Sequence, residues 1–214
     1  MDYSTIQQRI WGGYARAALR IGPTYQWYRP VGSDSPVGAA QSLGTIRAAI
    51  STDASFKFDK GENYNKPLWF ALVDGAAVQI NDYITDGGAN TWYVESLPPL
   101  QPIGVVNCNR VLTVSRPTSA TGIGLLPYGG DVTEPVIMTA WPGSVLQGTR
   151  GEKGDTQLPG DVRLPWYEVL LPYAPGVQIK AFDVMTDEVG QRYRIASTER
   201  SNLGWRMTAT LTQT

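Results

Sequence analysis

Residues 78–96 read VQINDYITDGGANTWYVES, and residues 177–197 read VQIKAFDVMTDEVGQRYRIAS. Both open on Val-Gln-Ile, pass an aspartate, reach Thr-Asp and a turn, and end in an aromatic segment. After a shift of two residues, Asp82, Thr85 and Asp86 stand against Asp183, Thr186 and Asp187, and Trp92, Val94 and Ser96 against Tyr193, Ile195 and Ser197. Working outward, Pro67-Leu68-Trp69 matches Pro165-Trp166-Tyr167, and residues 110–114 parallel 206–210. Any one match has chance as a fair explanation. A series in one order reads as internal duplication.

Within each copy the pattern is that of short strands. Ile46, Ala48 and Ile50 alternate, and residues 45–50, 68–73, 82–85, 91–96 and 110–115 read as strands. Asp74-Gly75, Asp86-Gly87-Gly88 and Pro98-Pro99 supply turn signals between them. The 23 Gly, 15 Pro, 11 Tyr and 7 Trp among 214 residues favour turns and aromatic strands over long helices. About five strands per copy suit a small antiparallel barrel or sandwich. The expected fold is mainly β: a helix and extended linker over residues 1–44, a β-domain over 45–117, a linker over 118–134 rich in Pro, Thr, Ser and Gly, and a second β-domain over 135–214 that repeats the first. Domains this small are marginal alone and gain from packing on a neighbour.

The helix is expected over residues 2–21. Asp2 or Ser4 can cap it, and Gly22-Pro23 stops it. Ile6, Ile10, Tyr14 and Ala17 or Ala18 make an apolar stripe at three- and four-residue spacing, with Gly12-Gly13 weakening the middle. The stripe serves either to pack on the chain's own barrel or to dock on another chain.

Composition narrows the chemistry. With no His, the commonest general base and metal ligand are missing. The single Cys108 cannot form an internal disulfide and reads as a buried small apolar residue. No catalytic residue, metal site or cofactor is expected. A net charge of −1 gives no excess for gripping nucleic acid. No apolar run is long enough to span a membrane, and residues 1–20 lack a secretion-signal core, so no membrane partner is expected and the cytoplasm where the chain is made is the expected compartment. Asp59, Asp82, Asp86, Asp183, Asp187 and Glu188 lie near turns. Two of them could pair as a glycosidase acid and nucleophile, but both copies put an aspartate in the same turn, which favours hydrogen-bonded hairpins. Trp27, Trp69, Trp92, Trp141, Trp166 and Trp205 could line a sugar-binding face, although strand positions favour core or interface packing. Residues 147–160 read as a long charged loop in which Arg150, Glu152, Lys153 and Asp155 are candidates to reach a channel or a neighbour.

Three stretches resemble a family of tailed-bacteriophage proteins that complete the head and join it to the tail. They are DYSTIQQRIWGGYARAA at 2–18; NYNKPLWFALVDG at 63–75 with CNRVLTVSRP at 108–117; and PGVQIKAFDVMTDEVGQRYRI at 175–195 with LGWRMTA at 203–209. The hairpin style Gly-Asp-x-x-Thr-Asp-x-x-Gly recurs in such barrels; this chain has Phe182 where that pattern has Gly before Asp183. The resemblance implies a non-enzymatic virion protein of the neck, assembled in the host bacterial cytoplasm. It implies a homo-oligomeric ring of six- or twelve-fold symmetry, a head-to-tail connector, adaptor or head-closure ring. Its partners would be copies of itself, the portal or adaptor protein of the head, a tail protein and, transiently, DNA in the channel. The rival expectations are a tail tube or terminator protein and a carbohydrate-binding module of a tail tip, with a glycan hydrolase ranked lowest.

Overall fold

The computed structural model describes residues 2–56, 66–88, 90–118, 133–148 and 165–212. A helix α1 (Tyr3–Ile21) leads into β1 (Thr24–Tyr28), a 3-10 turn (Ala39–Gln41), β2 (Ser42–Arg47), β3 (Ala49–Ser51), β4 (Leu68–Leu72), β5 (Tyr83–Thr85), β6 (Thr91–Ser96) and β7 (Ile103–Cys108). There follow β8 (Arg110–Ser115), β9 (Val136–Gln147), β10 (Trp166–Leu171), β11 (Val184–Thr186), β12 (Arg192–Ser201) and β13 (Gly204–Leu211). The protein is therefore mainly β with one N-terminal helix.

The strands form two sheets. The first runs β2-β1-β5-β6-β7-β4-β3; the second closes on itself as the six-stranded barrel β10-β13-β12-β11-β8-β9. All pairings are antiparallel. The two edges of the first sheet, β2 and β3, are separated in sequence by Ala48 alone. Ala48 is fully buried and its N–H donates to the Pro23 carbonyl. One bent segment thus pairs with β1 before the bend and with β4 after it.

Three sequence expectations need correction here. Residues 45–50 are not one strand, because Ala48 breaks the run. Residues 24–28, expected in the linker, supply β1 of the first sheet. Residues 110–115 were expected among the strands of the first copy, yet β8 pairs with β9 and β11 in the closed barrel. The sheets divide at Asn109, and β7, unforeseen as a strand, completes the first one.

Alternation along β5, β6 and β7 explains how the sheets meet. Ile84, Trp92, Val94, Ile103 and Val105 point into the first core with Tyr25, Ala71 and Val73. The intervening Tyr83, Tyr93, Val106 and Cys108 belong to the core of the closed barrel, with Trp141, Leu112, Met138 and Val145. Both faces of this part of the sheet are buried, so its strands carry apolar residues at consecutive positions. Tyr83 donates its hydroxyl to the Pro142 carbonyl at 2.7 Å and sits edge-on to Trp141 with centroids 6.2 Å apart. Asn81 adds a polar tie, its Oδ1 accepting the Tyr173 N–H at 3.1 Å.

Candidate functional site

Each sheet is pinned by an arginine that follows its first strand. Arg29, after β1, binds Asp82 with Nε on Oδ1 at 2.7 Å and Nη2 on Oδ2 at 2.8 Å. Arg116, after β8, binds Asp183 in the same way at 2.8 Å for both bonds. The rest of each environment corresponds. Asp82 Oδ2 accepts the Gln79 N–H and Asp183 Oδ2 the Lys180 N–H, each at 2.8 Å. Arg29 reaches the Ala77 carbonyl and Arg116 the Gln178 carbonyl. Asn81 (φ 75°) and Phe182 (φ 74°) precede the aspartates, and each donates its N–H across to β6 or β12, to Val94 or Ile195. The bonds to the carboxylate raise the guanidinium pKa of both arginines, more than partial burial lowers it. Charge-assisted, two-pronged bonds of this type fix geometry. These contacts put Gln79 opposite Lys180 and Val78 opposite Ile179. The Val-Gln-Ile tripeptides therefore do not align with each other, and no two-residue shift is needed from there through Ser96 and Ser197.

The acids singled out in the sequence are structural in their contacts. Asp86 Oδ1 accepts the Gly88 and Asn90 N–H groups, and the Asn90 amide donates to Oδ2. These bonds, the Asn90 amide foremost, hold its carboxyl below the usual range. Asp187 Oδ1 accepts the Val189 and Gln191 N–H groups, and its Oδ2 meets the Tyr193 hydroxyl. Glu188 bonds the Val111 N–H at 2.7 Å and Arg110 at 3.2 Å, tying the β11–β12 turn to β8. Asp59 lies outside the described residues. Among the described residues no group of three potential metal ligands occurs. Cys108 is buried, and burial pushes its thiol far above the normal range, away from the reactive thiolate.

Trp92, Trp141 and Trp205 are buried, Trp27 and Trp69 are half-buried against the first core, and Trp166 is half-buried with its ring against Gly148. The Trp27 indole N–H donates to Asp82 and that of Trp141 to the Ser33 carbonyl. Such placement serves packing rather than an open sugar-stacking face. The proposed loop residues Arg150, Glu152, Lys153 and Asp155 lie outside the described residues.

The buried side of the helix runs beside part of the expected stripe and includes its Ala18. Gln7 and Ala18 are the buried residues of α1, and Trp11 lies against Gly75. A Cβ at Gly75 would stand 2.5 Å from the Trp11 ring, so the close seat of the helix requires glycine there. Ile6 remains 37% exposed, while Ile10 and Tyr14 are half-buried beside the buried line. Gln7 Oε1 and Nε2 and Trp11 Nε1 are buried without a hydrogen-bond partner.

On the outer side of β11 and β12, a hollow of about 520 Å³ is lined by Arg116, Lys180, Phe182, Val184 and Arg194, among others. Phe182 is 63% exposed, and the Arg194 guanidinium lies 4.9 Å from its ring centroid. Arg116 and Arg192 are paired with Asp183 and Glu134. This surface was not singled out in the sequence, although Phe182 was noted there as a departure from a hairpin pattern. The repeated Arg29-Pro30 and Arg116-Pro117 pairs were the available signal for its arginine. Comparison with protein-family models, with curated proteins and with solved structures found no match to this chain.

Proposed function

We propose that the chain is a tandem of two equivalent six-stranded barrels that acts as a structural, non-enzymatic building block of a tailed-phage neck. Bent at Ala48, β2 and β3 count as one strand of the first barrel. Its order then becomes β1-β5-β6-β7-β4-β2/3, matching β8-β11-β12-β13-β10-β9. Arg29–Asp82 and Arg116–Asp183 occupy corresponding corners of the two barrels. The observation that carries the structural reading is the shared core: Tyr83, Tyr93, Val106 and Cys108 leave the first barrel and are buried in the second. Two small barrels locked through an aromatic contact make a rigid block suited to a ring wall. The tethering of Asp86, Asp187 and Glu188 in turns favours this over hydrolysis.

Together with the resemblance of residues 2–18, 63–75, 108–117 and 175–209, this supports a connector, adaptor or head-closure ring. Such a ring extends and seals the DNA channel, receives the portal side of the head and offers a docking face to the tail. Its near-neutral charge suits a wall along which DNA slides. The test is genetic depletion in an infected host. Loss of this chain should yield DNA-filled heads that leak or stay tailless beside complete free tails, with recovery on resupply. A normal yield of infectious particles without the chain contradicts the proposal.

A further inference from the structure

We propose that the Phe182 face of the second barrel docks on the first barrel of a second copy of this chain, so that chains add head to tail. The inference rests on the equivalence of the two barrels proposed above. In the first barrel the corresponding face is already an interface. Tyr83, Tyr93, Val106 and Cys108 are buried against the second barrel, and Asn81 bonds Tyr173 there. Following the strand registers, the second barrel carries Val184 at the position of Tyr83, Arg194 at that of Tyr93 and Phe182 at that of Asn81. Within the chain, no third barrel stands beyond this face among the described residues.

Phe182 is the telling residue. Its backbone is left-handed, a conformation that asparagine tolerates and phenylalanine disfavours. Its ring is also largely exposed. Local strain and apolar exposure at one residue are both unfavourable in an isolated chain, and both are explained if the ring is buried on a partner. An apolar centre rimmed by Arg194 and Lys180 has the layout of a contact patch with a charged margin.

The second copy is favoured as occupant because it carries a counterpart of the surface that receives this face within the chain. Tyr83 and Asn81 meet β9 at Pro142 and the loop after β10 at Tyr173. The equivalent strand of the first barrel is β2, whose Leu43, Thr45 and Arg47 are exposed. Counted from β4 as Tyr173 is from β10, the loop position is Gly75, where Trp11 of α1 rests. The partnerless Gln7 side chain and Trp11 indole N–H make α1 a weakly satisfied occupant of that seat. A heterologous contact of this kind closes into a ring when its rotation permits.

Sedimentation velocity of the purified full chain over a micromolar concentration series tests this. Wild type should grow past the dimer as concentration rises. Phe182→Asn restores the residue found at Asn81 and relieves the left-handed strain, so it should stay monomeric while melting at least as high as wild type. Because that variant keeps its receiving side, a one-tenth admixture should shorten wild-type oligomers. A wild-type chain that is monomeric throughout overturns the proposal. So does unchanged assembly of Phe182→Asn, or a dimer that ignores the admixture. Since only the purified chain is used, failure here is separable from failure of the neck reading, which the depletion phenotype decides.

Discussion

Removing the Arg116 guanidinium should be among the most damaging single changes to the closed barrel. Asp183 is 2% exposed and accepts two bonds from Arg116 and one from the Lys180 N–H. In Arg116→Ala the carboxylate keeps only the backbone bond and stays buried. Breaking one side of a buried pair costs about 3–5 kcal/mol. The Arg116 side chain is itself 31% exposed, so water enters part of the vacated space and the lower end, about 3 kcal/mol, applies. For a chain of this size each kcal/mol moves the melting temperature by about 2–4 °C, giving a drop of about 6–12 °C. Calorimetry and urea unfolding of wild type, Arg116→Ala, Asp183→Ala and the double variant provide the assay. The double variant should be less destabilised than the sum of the singles, because it removes the stranded charge. Arg116→Lys should fall between wild type and Arg116→Ala, since an ammonium cannot span both oxygens. An unshifted midpoint in Arg116→Ala, or strict additivity, would refute the reasoning.

Gly190→Val should destabilise by about 1–3 kcal/mol, because Gly190 has φ 83° in the turn that Asp187 organises; urea unfolding reads the change. Cys108 should resist a disulfide reagent at pH 8 in the folded protein and react at once after denaturation, since burial disfavours its thiolate. Burial, and next the Asp187 charge, push the Tyr193 hydroxyl up to about 12. Its protonated form therefore contributes stability that is complete below about pH 10 and is lost as pH rises towards 12; Tyr193→Phe should flatten the fall in melting temperature across that window. Trp11→Phe removes a partnerless indole N–H and should lower stability by less than about 1 kcal/mol, whereas Trp11→Ala should cost about 2–3 kcal/mol.

The β character and the helix were legible because they leave local signals: alternating apolar residues, Gly and Pro turns, and a three-to-four spacing closed by Gly22-Pro23. Sheet membership was not. Asn109 alone separates β7 from β8, with no glycine or proline to mark the passage from one sheet to the other. Strand β7 escaped notice because Ile103 and Val105 face one core while Val106 and Cys108 face another, which erases the alternation that reveals a half-buried strand. The Val-Gln-Ile tripeptides matched by letter but not by place; the aspartate contacts set the register instead. On the buried side of α1, Ala18 belonged to the expected stripe; the rest was hidden because it uses Gln7, a polar residue, and Trp11 against a glycine. The Phe182 surface was hidden for another reason: pairing Asp82 with Asp183 already sets Phe182 against Asn81, but their shared left-handed backbone and the exposure of the Phe182 ring emerge only from the fold.

The neck assignment is tested most directly by imaging purified tailed particles in which this chain carries a C-terminal electron-dense label. The proposal predicts label in a single layer at the junction of head and tail, on the axis of the DNA channel. Label repeated along the tail, confined to its distal tip, or absent from the particle would contradict it.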